Sequence, residues 1–236
     1  MTAPTTMVVI THEDRADTRL VEAFAAARDL GLHVVRPYRG DELPPLDDSA
    51  SLICLGGPMA AYDELPFIVD EKAYLMQAVT SGRAVLGICL GAQLLASALG
   101  GKVMRGHLGP ECGFIDIRWD GEEVSEFDGT MTGRFFSFHG DTMEPPDGAT
   151  VLARSDRYVQ AWTLGTALAV QFHPELSLEG MRDFFDIEAD KIAAIGMETD
   201  QCLREHERAQ REDMASFFAM LDRWLARGRE RALCDR

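Results

Sequence analysis

Short apolar runs alternate with helix-like spacings over the first hundred residues of this chain. Four mainly apolar runs predict strands, at residues 6–11, 32–36, 51–55 and 84–88. Apolar residues recur at helical spacing at 15–30, 67–81 and 92–99, with Gly31, Gly82 and Gly100 as natural stops. Apolar strands that alternate with helices indicate a parallel sheet covered by helices on both faces.

The pattern changes after about residue 102. Five strand-like segments follow with no long helix between them, at 113–119, 134–138, 150–153, 158–163 and 167–172, which predicts an antiparallel extension of the sheet. The chain then becomes helical to its end. The tail from about residue 199 carries one apolar stripe: Met214, Phe217, Phe218, Leu221, Trp224 and Leu225. Such a stripe is typical of a core-facing helix, with a partner-binding face as the alternative.

Composition narrows the class of protein. A chain of 236 residues with 46% hydrophobic residues can form one α/β domain, or one domain with an appendage. The net charge of −16 argues against binding to nucleic acid or anionic membranes. No apolar run approaches the ~20 residues of a membrane span, and the first ten residues do not resemble a signal peptide. Five scattered cysteines fit reduced thiols, so we expect a cytoplasmic protein.

The segment Gly87-Ile88-Cys89-Leu90-Gly91 is the most informative in the chain. It lies between a predicted strand and a predicted helix, which is the layout of a nucleophile elbow. Small flanking residues permit the sharp turn, and the helix N-terminus favours a thiolate at its tip. Cys89 is therefore the candidate nucleophile.

Two further segments end strands at the same edge of the predicted sheet. His173-Pro174-Glu175 can supply a base, His173, and a carboxylate that orients it, Glu175. Gly56-Gly57-Pro58 lets backbone N–H groups approach a substrate, so Gly57 is a candidate oxyanion donor together with the N–H of Leu90. Because the carboxyl ends of parallel strands surround the ligand crevice, we expect these segments to meet Cys89.

Four motifs in this order resemble a known family: GGPMAAYDE at 56–64, VLGICLGAQLLASALGG at 85–101, FHGD at 138–141 and VQFHPE at 170–175. The chain resembles the class-I glutamine amidotransferases, especially stand-alone members similar to the glutaminase domain of GMP synthase. The resemblance implies a flavodoxin-like three-layer α/β sandwich with a mainly parallel central sheet, an antiparallel extension and C-terminal helices. We expect the amidotransferase domain at 1–195 and a helical extension packed on it at 196–236.

The resemblance also implies an activity. Cys89 would attack the side-chain amide of glutamine to give a γ-glutamyl thioester and ammonia, with His173 as base and then acid. Gln93 matches a position that holds the substrate in relatives, and His139 lies in a loop that lines the same pocket. No cofactor is expected. The chain shows no G-x-x-x-x-G-K-[ST] loop and no SGGxDS-like segment, so a separate synthetase would have to use the ammonia.

Other interpretations stay open. The same triad could serve a self-sufficient γ-glutamyl hydrolase or peptidase, or the chain could be a regulatory protein with a vestigial site. The pairs His139-x-Asp141 and His173-x-Glu175 could ligate a metal, but no third or fourth ligand has suitable spacing, so we expect no metal site.

Overall fold

The computed structural model describes residues 6–46, 51–119 and 133–234, in which helices cover a nine-stranded mixed sheet. The strands are β1 Thr6–Ile10, β2 Gly31–Val35, β3 Ser51–Cys54, β4 Val85–Ile88, β5 Lys102–Arg105, β6 Glu111–Trp119, β7 Gly133–His139, β8 Asp141–Glu144, β9 Thr150–Arg154, β10 Val159–Leu164 and β11 Ala167–Val170. The helices are α1 Arg19–Ala27, α2 Pro66–Thr80, α3 Leu90–Ala98, α4 Leu178–Ile187, α5 Ala189–Ile195 and α6 Thr199–Cys234, with a 3-10 turn at Pro37–Arg39.

The main sheet has the strand order β2-β1-β3-β4-β11-β10-β9-β6-β7. The first five strands are mutually parallel, and each later neighbour pair, from β11–β10 to β6–β7, is antiparallel. Strands β5 and β8 form a separate two-stranded sheet. The prediction of a mainly parallel centre with an antiparallel extension is confirmed.

Side chains alternate between the two faces of the parallel strands and so build two apolar layers. On one face, Met7 and Val9 of β1 pack in a cluster with Phe24 of α1 and Trp224 of α6. On the other face, the cluster joins β1 and β3 to helices α2 and α3, including Leu75. Burial of these large side chains supplies the main stabilisation of the sandwich. The three-layer arrangement expected from the sequence is thus present.

Helix α6 packs against the sheet. Phe217, Leu221 and Trp224 are at most 1% exposed and belong to the core cluster, whereas Met214 is 37% exposed. Most of the apolar stripe is therefore core. The division of the chain at residue 195 stays a prediction. No helix in the described ranges combines the length and apolarity needed to cross a bilayer.

One local prediction was wrong, and two short strands were not predicted. Helix α1 begins at Arg19 rather than at residue 15, because the carboxylate of Asp17 accepts the Arg19 N–H (3.2 Å) and the Ser177 N–H (2.6 Å) and holds the chain in a turn. Strands β5 and β8 were not predicted, since they are short and pair only with each other. Cys54, Cys89, Cys112 and Cys202 are free thiols, and the side chain of Cys234 lies outside the described part.

Candidate active site

The carboxyl ends of three parallel strands bring the predicted site segments together. Strand β4 leads into the elbow and pairs with β11, so that Ile88 lies beside Val170. On its other side β4 pairs with β3, where Cys54 lies beside Gly87. The elbow, the Gly56-Gly57 segment and the His173 segment therefore leave neighbouring strands at one edge. Adjacency of β4 and β11 explains how residues distant in sequence meet.

Cys89 occupies a strained turn between β4 and α3. Its φ of 52° and ψ of −108° lie in a region that non-glycine residues rarely adopt. The Cys89 N–H donates to the Val170 carbonyl at 2.9 Å, and its carbonyl accepts the Gln93 N–H at 3.1 Å. These bonds fix the backbone on both sides of the tip. The elbow predicted from the sequence is present, with Cys89 at the N-terminus of α3.

Close packing explains the two glycines of the elbow. A Cβ on Gly91 would lie 1.9 Å from the backbone oxygen of Cys54, and one on Gly87 would lie 2.5 Å from the Gly91 oxygen. Both obstructing atoms belong to the backbone and cannot rotate away. Glycine at position 87 therefore permits the sharp turn of the elbow, and glycine at position 91 permits its close contact with β3.

We expect Gly91→Ala to destabilise the fold by about 3 kcal/mol, because overpacking against a fixed backbone forces the sheet apart. That corresponds to a fall of roughly 6–12 °C in Tm for a chain of this size. Differential scanning fluorimetry of purified protein measures it. Gly31→Ala is the matched control, because the nearest atom to a Cβ on Gly31 would be the hydroxyl oxygen of Thr6, at 3.3 Å. This substitution should change Tm little. Equal Tm values for the two variants would contradict this account of the elbow.

His173 and Glu175 form a buried pair beside Cys89. Nδ1 of His173 lies 2.8 Å from Oε1 of Glu175, and both side chains are at most 7% exposed. The Cys89 side chain lies next to the same imidazole and interacts with it. Burial alone would lower the pKa of His173, but the charges of Glu175 and Cys89 raise it well above its ordinary value. The structure thus brings the three side chains predicted from the sequence together, with His173 interacting with both Cys89 and Glu175.

The Gly56-Gly57 segment lies against the side chains of Cys89 and His173. A Cβ on Gly56 would be 3.1 Å from Cε1 of His173 and 3.6 Å from Cβ of Cys89, and one on Gly57 would be 3.1 Å from Cδ2 of Leu90. Gly57 and Leu90 line one cavity together with Cys89. The two candidate oxyanion donors are therefore next to the candidate nucleophile.

Gln93 and His139 also line the cavity and are held by neighbours. The Gln93 amide donates to the Gln171 side chain (3.1 Å) and to the Asp141 carbonyl (3.2 Å). His139 Nδ1 lies 2.9 Å from the same Asp141 carbonyl, and its Nε2 lies 3.2 Å from the carboxylate of buried Glu111. The hydrogen bonds of Gln93 and of His139 Nδ1 hold both predicted pocket residues in place.

The cavity has a volume of about 570 Å³ and includes residues that the sequence analysis did not identify. Helix α5 and the residue before it contribute Glu188 and Lys191, whose charged groups are 2.8 Å apart. Glu13, on the loop after β1, faces them, and burial, reinforced by Glu188, raises its pKa. No motif marks these residues, because their position depends on how α5 packs over the sheet edge.

One group in the described ranges brings three potential metal ligands together. Ligand-type atoms of His12, Cys54 and Glu71 lie within 4.8 Å of one another, and all three residues are buried. These atoms are engaged in hydrogen bonds among themselves. The group lies behind the Gly56-Gly57 segment and was not identified from the sequence.

Comparison with known proteins fits this geometry. The family model of class-I glutamine amidotransferases matches residues 9–186. The chain therefore belongs to the class-I glutamine amidotransferase family.

Similar proteins of known name include GMP synthases. One subunit of the glutamine-hydrolyzing GMP synthase from Saccharolobus solfataricus is 33% identical over 150 residues, which cover 61% of this chain and 76% of that protein. The GMP synthase of Bacillus pumilus is 34% identical over 163 residues, which cover 67% of this chain but only 30% of that protein. Among solved structures, a glutamine amidotransferase from Thermotoga maritima superposes with a TM-score of 0.89 at 26% identity, covering 94% of this chain and 99% of that one.

Proposed function

We propose that this protein hydrolyses the side-chain amide of glutamine and releases ammonia for an acceptor reaction. The observation that carries the proposal is the group formed by Cys89, His173 and Glu175, in which the imidazole interacts with the thiol and is bonded to the carboxylate. It lies at the head of a cavity whose wall holds two candidate oxyanion donors. Membership in the class-I glutamine amidotransferase family supports the same reaction.

In the first half of the reaction, His173 takes the thiol proton and the Cys89 sulfur bonds to the γ-carbonyl carbon of glutamine. The carbonyl electron pair moves onto oxygen, where the N–H groups of Gly57 and Leu90 stabilise the negative charge. When the carbonyl re-forms, the carbon–nitrogen bond breaks and His173 gives its proton to the leaving nitrogen. The products are ammonia and a γ-glutamyl thioester on Cys89.

In the second half, His173 takes a proton from water, and the resulting hydroxide attacks the thioester carbon. Collapse of the second tetrahedral intermediate breaks the carbon–sulfur bond, and the proton returns to the sulfur. Glutamate leaves and the thiol is restored. Glu175 stays ionised throughout, and its bond to Nδ1 keeps Nε2 of His173 directed at the sulfur.

The cavity offers groups that suit a glutamine zwitterion. Arg105 and Lys191 can attract its α-carboxylate, and the carboxylate of Asp141 can attract its α-ammonium group. Gln93 and His139 complete the wall beside the nucleophile. We assign substrate binding to these side chains as part of the proposal.

A γ-glutamyl hydrolase or peptidase is the second candidate, and the size of the cavity favours it. A volume of about 570 Å³ falls within the usual range for drug-sized ligands, roughly 300–1,000 Å³, and exceeds the needs of one amino acid. Helix α5 lines part of the cavity and so encloses some of this volume. A substrate with a group attached to the γ-nitrogen would fill it.

The partner of the first candidate is proposed from the relatives. The Saccharolobus protein is named as one subunit of a GMP synthase, which suggests that the present chain delivers ammonia to a separate synthetase. A glutaminase of that kind is expected to be slow alone and faster with its partner, because free ammonia release would waste glutamine.

Glutamate release from glutamine and from a panel of γ-glutamyl amides and peptides tests both candidates. We expect the isolated chain to hydrolyse glutamine slowly, to form a γ-glutamyl adduct on the Cys89 peptide detectable by mass spectrometry after acid quench, and to accelerate many-fold with its synthetase. The Cys89→Ala variant is the negative control for both glutamate release and adduct formation. Fast cleavage of a γ-glutamyl peptide by the chain alone, with glutamine a poor substrate, would establish the second candidate instead.

A further inference from the structure

A buried ionic pair lies behind the Gly56-Gly57 segment, on the side away from the cavity. His12 follows β1 and is 1% exposed, and Glu71 on α2 is fully buried. Nε2 of His12 lies 3.0 and 3.1 Å from the two carboxylate oxygens of Glu71, and its Nδ1 lies 3.2 Å from the carbonyl oxygen of Gly56. The thiol of Cys54 donates to the same carboxylate at 3.0 Å. The proposed reaction steps of Cys89, His173 and Glu175 use none of these side chains.

The partners of His12 define its charge. With Glu71 as a carboxylate, both ring nitrogens face oxygen atoms that only accept hydrogen bonds, so the ring donates from both nitrogens. Only the imidazolium form does this. Burial would lower the pKa of His12, but Glu71 and the bond to Gly56 raise it above its ordinary value, in agreement with the geometry. Burial, followed by the charge of Glu71, keeps Cys54 a thiol by raising its pKa well above the usual range.

The bond from His12 also sets the direction of a second group. The carbonyl of Gly56 and the N–H of Gly57 belong to one planar trans peptide, and they point in opposite directions. Because the carbonyl is turned towards His12, the Gly57 N–H is turned away from it, towards the cavity that Gly57 lines with Cys89. Among the described residues, no protein acceptor is bonded to the Gly57 N–H.

The orientation of the Gly56-Gly57 peptide depends on a contact such as the hydrogen bond from His12. Neither glycine has a side chain that would resist rotation of the peptide between them, and the alternative orientation would present a carbonyl oxygen to the cavity. A Cβ on Gly57 would lie 2.4 Å from Cβ of His12, so the backbone rests directly on this side chain. Buried ion pairs add little net stability against apolar replacements, which favours a role in fixing geometry.

We propose that His12, held by Glu71, is a positioning residue that keeps the Gly57 N–H directed at the oxygen on which negative charge develops when Cys89 is acylated. This inference rests on the proposed function for its natural substrate. It extends to any acyl donor that reaches Cys89, because every acylation passes through the same oxyanion.

Two reagents separate this role from a merely structural one. Iodoacetamide alkylates Cys89 by forming a sulfur–carbon bond at a saturated carbon and expelling iodide, so no oxyanion forms. p-Nitrophenyl acetate acylates the same sulfur through a tetrahedral oxyanion and expels p-nitrophenolate. Quantifying both adducts on the Cys89 peptide gives an acylation-to-alkylation rate ratio. That ratio is independent of glutamine recognition.

The variants are matched so that no charge is left buried without a partner. His12→Leu/Glu71→Gln removes the donor to the Gly56 carbonyl, whereas His12→Asn/Glu71→Gln restores an N–H close to the position of Nδ1. Loss of one oxyanion donor costs about 10²–10³ in rate, and a misdirected donor costs part of that. We expect the leucine variant to lower the ratio about 10- to 100-fold, with alkylation within about threefold of wild type, and the asparagine variant to regain at least tenfold.

With glutamine, the leucine variant should lose kcat by a similar factor and keep its KM, since the oxyanion exists only in the transition state. His33→Leu, at an exposed histidine on β2, is the control. An unchanged acylation-to-alkylation ratio in the leucine variant would overturn the inference, as would equal ratios in the two double variants. Failure of wild type to hydrolyse any γ-glutamyl amide would instead overturn the proposed function, while the ratio still decides the role of His12.

Discussion

Replacing Cys89 with alanine is expected to reduce glutamine hydrolysis by at least about 10³-fold while leaving the fold intact, because the proposed reaction forms its covalent intermediate on this sulfur. The side chain is 8% exposed, and truncation to alanine removes one atom without disturbing the backbone bonds of the elbow. Steady-state ammonia release measures the loss, and circular dichroism with thermal melting checks the fold.

Cys89→Ser keeps an oxygen nucleophile at the same place and should also be nearly inactive, since a serine hydroxyl is far less acidic than a thiol. Cys202→Ser is the matched control: Cys202 is a buried thiol at the start of α6 and does not line the cavity. It should retain most of the wild-type rate. Turnover above a tenth of wild type in Cys89→Ala would remove Cys89 from its proposed role.

Sequence patterns predicted the parts of this fold that are local. The parallel strands from β1 to β4 are mainly apolar, and β3 and β4 are buried along their whole length; the position of each of the four was predicted to within about two residues. The elbow was visible because its turn demands small residues at fixed places around Cys89. His173 and Glu175 were predicted because their segment follows an apolar strand that ends at the same sheet edge as the elbow, and the family resemblance implied the same roles.

Features that depend on packing between distant segments were not predicted. The start of α1 is set by Asp17, whose carboxylate bonds to a segment far along the chain. His12 and Glu71 each stand among other polar residues in the sequence, so neither is conspicuous there. The pairing of β1 with β3 beneath α2 brings them together. The position of helix α5 at the cavity likewise depends on packing between segments that are distant in sequence. No local spacing encodes such contacts.

Replacing His173 with asparagine should reduce glutamine hydrolysis by about 10⁴- to 10⁶-fold, because one imidazole both removes the thiol proton and delivers a proton to the leaving ammonia. Glu175→Gln should cost less, about 10²- to 10⁴-fold, since the base remains but its orientation and charge support are weakened. Rates of ammonia release, with active sites titrated by iodoacetamide, measure both losses.

The pH dependence of Glu175→Gln gives a sharper test of the same pair. The negative charge of Glu175 helps to raise the pKa of His173, so the imidazolium form persists to higher pH in the wild type. That form is present below the pKa of His173 and is lost as the pH rises through it. Removing the charge lowers this pKa, and the alkaline limb of the kcat/KM profile should therefore move to lower pH. Glu179→Gln, at a carboxylate 71% exposed on α4, should leave the profile unchanged. An alkaline limb that stays in place, or moves upward, in Glu175→Gln would show that Glu175 does not support the charge of His173.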